Sequence, residues 1–144
     1  MRVLYFGSYK PAYPRNKIII DGLRANRVTV AECNDRSPSF VRFFRLFIKY
    51  FKIKEDFDLM IVGFPGQEVM FLAKLICRKP IVFDVFTSHY MGYILDRKYF
   101  SKNGLRSVYY RFLDKWSCKL ADMIILDTQA HINWFVKEFN VSPD

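Results

Sequence analysis

Apolar positions follow two rhythms along this chain. Short apolar or β-branched runs stand at Val3–Phe6, Val28–Cys33, Leu59–Val62, Ile81–Phe83 and Met123–Leu126, and runs of this kind bounded by turn residues read as buried strands. Helix-length stretches at 16–26, 38–54, 66–78, 104–120 and 129–139 follow them. This alternation predicts a mainly parallel sheet, because each parallel crossover needs a helix and each sheet face needs cover. The expected fold class is α/β, a Rossmann-like three-layer sandwich with helices on both faces. Right-handed crossovers then bring the C-terminal strand ends to one edge, where open sheets bind ligands. Pro11 and Pro14 break the chain after the first strand, Gly63, Pro65 and Gly66 turn it after the third, and Pro80 opens the fourth. No repeat, low-complexity tract or linker interrupts residues 1–144, so a single domain is expected.

Residues 40–54 carry the most lopsided pattern. At about 100° per residue, Arg42, Arg45, Lys49 and Lys52 gather within an arc of roughly 80°, and apolar residues including Phe43, Phe44, Phe47 and Phe51 fill most of the rest. A helix on one sheet face needs an apolar stripe only somewhat wider than ~100°. Three readings stay open. The helix is wedged among the sheet and its neighbours with its lysines reaching outward, or it lies on an anionic bilayer surface, or it contacts another protein. The membrane-facing candidates are Arg42, Phe43, Arg45, Phe47, Lys49 and Lys52. In 104–120, Val108, Tyr109, Phe112, Leu113, Trp116 and Leu120 share an arc of about 140°. That predicts an ordinary core-facing stripe, flanked by Arg111, Lys115 and Lys119.

Charge and composition sharpen this picture. The 144 residues hold 23 Lys plus Arg against 14 Asp plus Glu, for a net charge of +9, and 18% are aromatic. Such an excess suits a nucleic-acid or a membrane surface. Residues 36–54 hold six basic and no acidic groups, and 97–119 hold seven and one, so the rest of the chain is net acidic. The abundant apolar surface in 40–54 suits lipid better than a phosphate backbone, and no nucleic-acid partner is expected. No window reaches the ~18 apolar residues of a spanning helix, and the run before Gly7 is too short for a signal peptide. The expected location is therefore cytoplasmic and peripheral, at the inner membrane face. Cys33, Cys77 and Cys118 are widely spaced without a CxxC pair, which predicts buried thiols and neither a disulfide framework nor a metal site.

Several motifs are absent. The loop after the first strand, Gly7-Ser8-Tyr9-Lys10-Pro11, lacks the GxGxxG of a dinucleotide cradle. There is no Walker A sequence, no acidic pair of a receiver domain and no GxSxG elbow. The strand ends instead carry polar groups. Tyr9, Arg15 and Asn16 follow the first strand, Asp84, Thr87, Ser88 and His89 the fourth, and Asp127, Thr128 and His131 the fifth. Asp127 or Thr128 reads equally as the cap of the last helix. Asp84 is the more suggestive, because an apolar strand gains nothing from a terminal carboxylate unless it meets a donor or a substrate hydroxyl.

Tyr13-Pro14-Arg15-Asn16, the strand Asp58-Leu59-Met60-Ile61-Val62, the segment from Pro80 through Asp84 and Ser88 to Tyr90, and Ala121-Asp122 leading to Asp127-Thr128 together resemble the N-terminal domain of family 4 glycosyltransferases of the GT-B fold. Such enzymes face two Rossmann-like domains across a cleft, the first for the acceptor and the second for the nucleotide-sugar donor. The resemblance implies that Gly7 and Ser8 line that cleft, that Asp84, Thr87 and Ser88 sit by the acceptor, and that Asp127 and Thr128 lie near the domain junction. Tyr9, Arg15, Asn16 and His89 complete the expected substrate-binding set, with no catalytic residue assigned. Many members carry a His where this chain has Phe86, and His89 lies three residues later. The Glu-x7-Glu motif of the donor domain is missing.

The resemblance leads to the expectation of half an enzyme, a hexosyltransferase acceptor domain inactive alone and completed by a donor domain or a split partner chain. It implies a lipid-linked or glycan acceptor and an anionic membrane surface as partners. The chain itself takes no cofactor, and a nucleotide sugar serves the complete enzyme. The alternative is a non-catalytic Rossmann-like module that recruits a protein or membrane through the helix at 40–54.

Overall fold

The computed structural model describes residues 1–38, 40–53 and 56–142. Five strands, β1 (Arg2–Gly7), β2 (Thr29–Asn34), β3 (Leu59–Val62), β4 (Ile81–Asp84) and β5 (Met123–Ile125), alternate with five helices. The helices are α1 (Pro14–Ala25), α2 (Val41–Lys52), α3 (Met70–Ile76), α4 (Leu105–Leu120) and α5 (Gln129–Phe139). A six-residue π-helical segment, Met91–Asp96, precedes α4. The sheet is wholly parallel in the order β2-β1-β3-β4-β5. This is a Rossmann-like α/β domain, as the alternating pattern predicts.

Side-chain alternation along β1 sorts the core into two layers. Leu4 and Phe6 face Leu46 of α2 and Met70 and Ala73 of α3, in a layer that also takes Phe135 and Phe139 of α5. Val3 and Tyr5 face Ile20, Ile19 and Leu23 of α1. The crossover from β1 to β2 thus lies on one face, and that from β2 to β3 on the other. The chain reverses direction across the sheet between β1 and β3, and open sheets leave a crevice at such a switch point.

Local chemistry sets the element ends. Pro14 occupies the first turn of α1, where its missing N–H costs nothing. At the other end, Val28 N–H donates to Leu23 O and Arg27 N–H to Arg24 O, both at 3.0 Å, the paired bonds of a Schellman close. Arg27 holds φ 60° there, a conformation that favours glycine. Arg27→Gly is expected to raise stability by about 1 kcal/mol, read as a higher urea midpoint with an unchanged slope. The Ala121-Asp122 pair serves the sheet, since Asp122 Oδ2 accepts the Ile81 N–H at 2.8 Å and so ties β5 to the start of β4.

Three expectations are revised. Helix α3 begins at Met70, because Gly66 and the residues after it turn first, and β5 stops at Ile125. Helix α4 turns only part of the predicted stripe inward: Leu113 is buried and Leu120 packs against the core. Its buried residues are Ser107, Leu113, Asp114, Ser117 and Cys118, and Val108, Tyr109, Phe112 and Trp116 face solvent. The periodicity is helical as expected, but the buried arc is rotated toward Ser107, Asp114, Ser117 and Cys118 and shares only Leu113 and Leu120 with the predicted stripe.

Candidate functional site

The crevice at the switch point holds a cavity of about 860 Å3. Ser8, Lys10 and Tyr13 come from the loop after β1, and Phe64, Pro65 and Gln67 to Val69 from the turn after β3. Thr87 to His89 come from the loop after β4, and Gly92, Tyr93 and Arg97 from the π-helical segment and its end. Gly7 at φ 154° lets the chain leave β1 sharply, and a side chain there would press on the Tyr9 ring. A Cβ on Gly63 would fall inside the Tyr5 ring, so the turn after β3 packs at backbone distance from β1.

Much of the expected substrate set is used to build this edge. The Arg15 guanidinium donates from Nε to both Asp84 oxygens at 2.8 and 2.9 Å, and from Nη2 to Oδ1 at 2.6 Å. Asp84 is wholly buried. Burial pushes its carboxyl up from the ordinary range, against the pull of Arg15. The donor that Asp84 called for in sequence is thus Arg15, and the two bind each other across β1 and β3. Arg15 also stacks over the Phe86 ring, 4.4 Å from its centre. Phe86 holds φ 56°, which is strained for a bulky residue, and the Phe64 ring supports its other contact at 5.1 Å.

Asn16 is buried with both amide groups occupied: Oδ1 accepts from the Tyr5 hydroxyl at 2.9 Å, and Nδ2 donates to Phe64 O at 2.7 Å. Tyr9 is buried too. Its hydroxyl donates to Glu32 Oε2 at 2.9 Å, and its backbone pairs with the Asn34 side chain. Burial first, then the nearby carboxylates, push both phenols well above their usual range. Asn16 lines the cavity, and both phenol hydroxyls are engaged with protein groups.

The loop after β4 is organised by Asp114, a residue that strand-end reasoning did not select. Fully buried on α4, it accepts the Ser88 hydroxyl at 2.7 Å and the His89 and Tyr90 N–H groups at 3.1 and 2.8 Å. Burial raises its carboxyl, and these donors hold it down in part. Its one sequence signal is that it is the single acid among seven basic residues in 97–119. The His89 ring lies between Tyr93 and Tyr110, at 5.4 and 6.0 Å. Desolvation lowers its pKa against the opposing charges of Asp114 and Glu68, so the imidazole is neutral at pH 7.

Among the described residues, three buried side-chain polar atoms lack a hydrogen-bond partner: Arg42 Nε, Gln67 Oε1 and His89 Nδ1. All three belong to residues lining this cavity. Gln67 is almost wholly buried, and its Nε2 donates to Thr87 O at 3.0 Å, which aims the amide. Arg42 pairs with Glu68 across the wall. Neither Gln67 nor Glu68 stood out in sequence, because the turn after β3 shows only Gly and Pro as signals.

Asp127 and Thr128 lie elsewhere. Asp127 borders a second hollow of about 650 Å3 with Pro14, Arg15, Ile18, Phe86 and Ile125. Thr128 caps α5 by accepting the His131 N–H at 3.2 Å, and Asp127 Oδ1 meets His131 Nδ1 at 2.6 Å. Of the membrane-facing candidates, Phe43 packs against the core, Phe47 is exposed, and Lys49 donates to Asp35 Oδ2 at 2.8 Å and Asn34 O at 2.7 Å. Burial would raise the Asp35 carboxyl, but the Lys49 ammonium and Ser37 hold it at about 2. Its folded value lies below the unfolded one, so its stabilisation is complete above about pH 4 and fades as pH falls toward 2. Lys49→Met is expected to flatten the acid limb of a stability profile over that window, measured by urea unfolding at each pH.

The fold and this crevice define a Rossmann-like α/β domain with a built cavity on the ligand edge of its sheet. No model of a known family matches the chain, and a search of curated proteins finds no significant match.

Proposed function

We propose that this cavity binds a hydroxyl-rich small molecule, as the acceptor side of a sugar transferase whose donor domain lies in another unit or chain. One observation carries the reading: the three buried and unpartnered polar atoms, Gln67 Oε1, His89 Nδ1 and Arg42 Nε, all belong to residues that line a single cavity. A buried polar atom without a partner costs about 1–3 kcal/mol, and a bound hydroxyl, which donates and accepts at once, relieves that cost. Tyr13, Phe64 and Tyr93 on the walls offer flat apolar faces beside the polar groups, the mix expected of a small-molecule site. Burial favours the neutral form of the His89 imidazole, in which one ring nitrogen can accept a hydrogen bond from an acceptor hydroxyl. The resemblance to family 4 glycosyltransferases supports the acceptor role and the need for a separate donor site.

Titration with glycerol, inositol and free hexoses, followed by amide NMR, tests the reading. Shifts are expected in 64–68 and 87–93, with saturation for the best probe. Gln67→Leu should weaken that probe about tenfold, the worth of one good hydrogen bond, and leave the urea midpoint close to wild type. Shifts confined to other regions, or none that saturate, would sink the cavity assignment. Sugar transfer from a nucleotide sugar by the chain alone would overturn the half-enzyme part. A non-catalytic module is the second reading, favoured by the apolar helix face that α2 and α4 expose, and it predicts no sugar-dependent stabilisation.

A further inference from the structure

The rotated packing of α4 leaves an apolar face largely exposed. Val108, Phe112 and Trp116 are 65%, 51% and 43% exposed, and the inward side of the helix holds Ser107, Leu113, Asp114, Ser117 and Cys118. Helix α2 shows the same excess: Leu46 is its one buried residue, and Phe44 and Phe51 are 67% and 64% exposed. Between them α3 packs against both helices and adds Phe71 and Leu75 to the surface. The Phe71 ring stacks on Phe112 at 6.3 Å, with the planes 10° apart, so the patch is continuous from α3 to α4. Contiguous apolar surface of this kind marks an interaction site.

The charge around the patch selects its partner. Helix α2 carries four basic residues and no acid, and the single acid of α4 is the buried Asp114. Arg42, Lys49 and Arg111 are engaged with Glu68, Asp35 and Glu138. Lys52, Lys115 and Lys119 have no ion-pair partner among the described residues, and Lys119 sits over the Trp116 ring at 5.7 Å. We propose that the face formed by α2, α3 and α4 docks on an anionic bilayer surface. Phe44, Phe51, Phe112 and Trp116 enter the acyl boundary, and the three lysines reach back to the headgroups. A second copy of this chain on the same face would set lysine rim against lysine rim, whereas an anionic lipid layer complements that rim everywhere. The surface assignment stands independently of what the cavity binds.

Flotation of the full chain with phosphatidylcholine vesicles, with and without phosphatidylglycerol, is the test. Binding is expected with phosphatidylglycerol and should weaken as salt is raised. Each of Lys52→Gln, Lys115→Gln and Lys119→Gln should reduce it by about fivefold, the equivalent of ~1 kcal/mol per cation near the surface. Phe44→Ser combined with Phe112→Ser should remove it with only a modest change in melting temperature, since both rings are more than half exposed. If that pair does not fold, the lysine series alone decides. Equal binding to both vesicle types, no binding to either, or loss of a self-association in the same variants would overturn the proposal, the last by making the face a contact between copies.

Discussion

Arg15→Ala is expected to be the most damaging single substitution in this domain, at about 3–5 kcal/mol, because it strands a buried carboxylate. Asp84 is wholly buried, and its oxygens have only the Arg15 guanidinium as a side-chain donor among the described residues. The variant carries a pH signature. Burial already holds the Asp84 carboxyl above its ordinary range, and removing Arg15 deletes the main opposing influence. The folded state then binds the proton more tightly than the unfolded chain, so stability should rise as pH falls from 7 toward the carboxylate range. Asp84→Ala is expected to cost less, since Arg15 keeps partial access to water and its stacking on Phe86. Replacing both, as Arg15→Met with Asp84→Leu, should recover most of the loss, because an apolar pair needs no desolvated charge. Urea unfolding of the three variants at several pH values separates these outcomes. A pH-independent loss in Arg15→Ala would show that the cost is packing and not the stranded charge.

Asp114→Ala is expected to destabilise by about 3 kcal/mol or more and to dismantle one wall of the cavity. Three donors, the Ser88 hydroxyl and the His89 and Tyr90 N–H groups, lose their acceptor together, and each stranded buried group costs about 1–3 kcal/mol. The Ser88 hydroxyl also accepts the Met91 N–H at 2.9 Å, so the start of the π-helical segment moves with it. Binding of any cavity ligand should fall with stability in this variant. Asp114→Asn keeps one acceptor oxygen and is expected to fall between. The carboxylate charge also favours the His89 imidazolium, so in Asp114→Asn the His89 titration should move further down, read from its imidazole NMR signals. An unmoved His89 titration with a full loss of stability would show that Asp114 acts on the backbone alone.

These two residues illustrate what is legible before folding. Asp84 is visible because a carboxylate at the end of an apolar strand is out of place, and the inference that it must meet a donor is sound. Which donor is not legible, since Arg15 is 69 positions away and meets it only once β3 has paired with both β1 and β4. Asp114 is nearly invisible, because one acid on a basic helix reads as a surface residue until the orientation of that helix is known. Gln67 offers no signal at all. Its value lies in being buried beside an open cavity with one oxygen unpaired, a property that tertiary packing creates.

The net charge of +9 and the periodicities behave differently from each other. The charge gathers in two segments as the counts require, and those segments become two helices of one face. The spacing of apolar residues along 104–120 is helical, yet four of the six residues expected to face the core, Val108, Tyr109, Phe112 and Trp116, are exposed, and only Leu113 and Leu120 turn inward.

By itself, then, the sequence determined the element types, the parallel α/β architecture and the strand edge where polar residues collect. Those follow from local periodicity and from the handedness of crossovers, which are properties of short stretches of chain. Only the tertiary structure decided which strand-end residues bind one another, which polar atoms remain unpaired in the cavity, and which side of α4 meets the protein. A helix with apolar residues on one arc and Ser, Asp and Ser on another satisfies the same local rules whichever way it turns. Its orientation is chosen by the hydrogen bonds that Asp114 makes to the loop after β4, and those bonds exist only once the sheet has brought that loop to the helix.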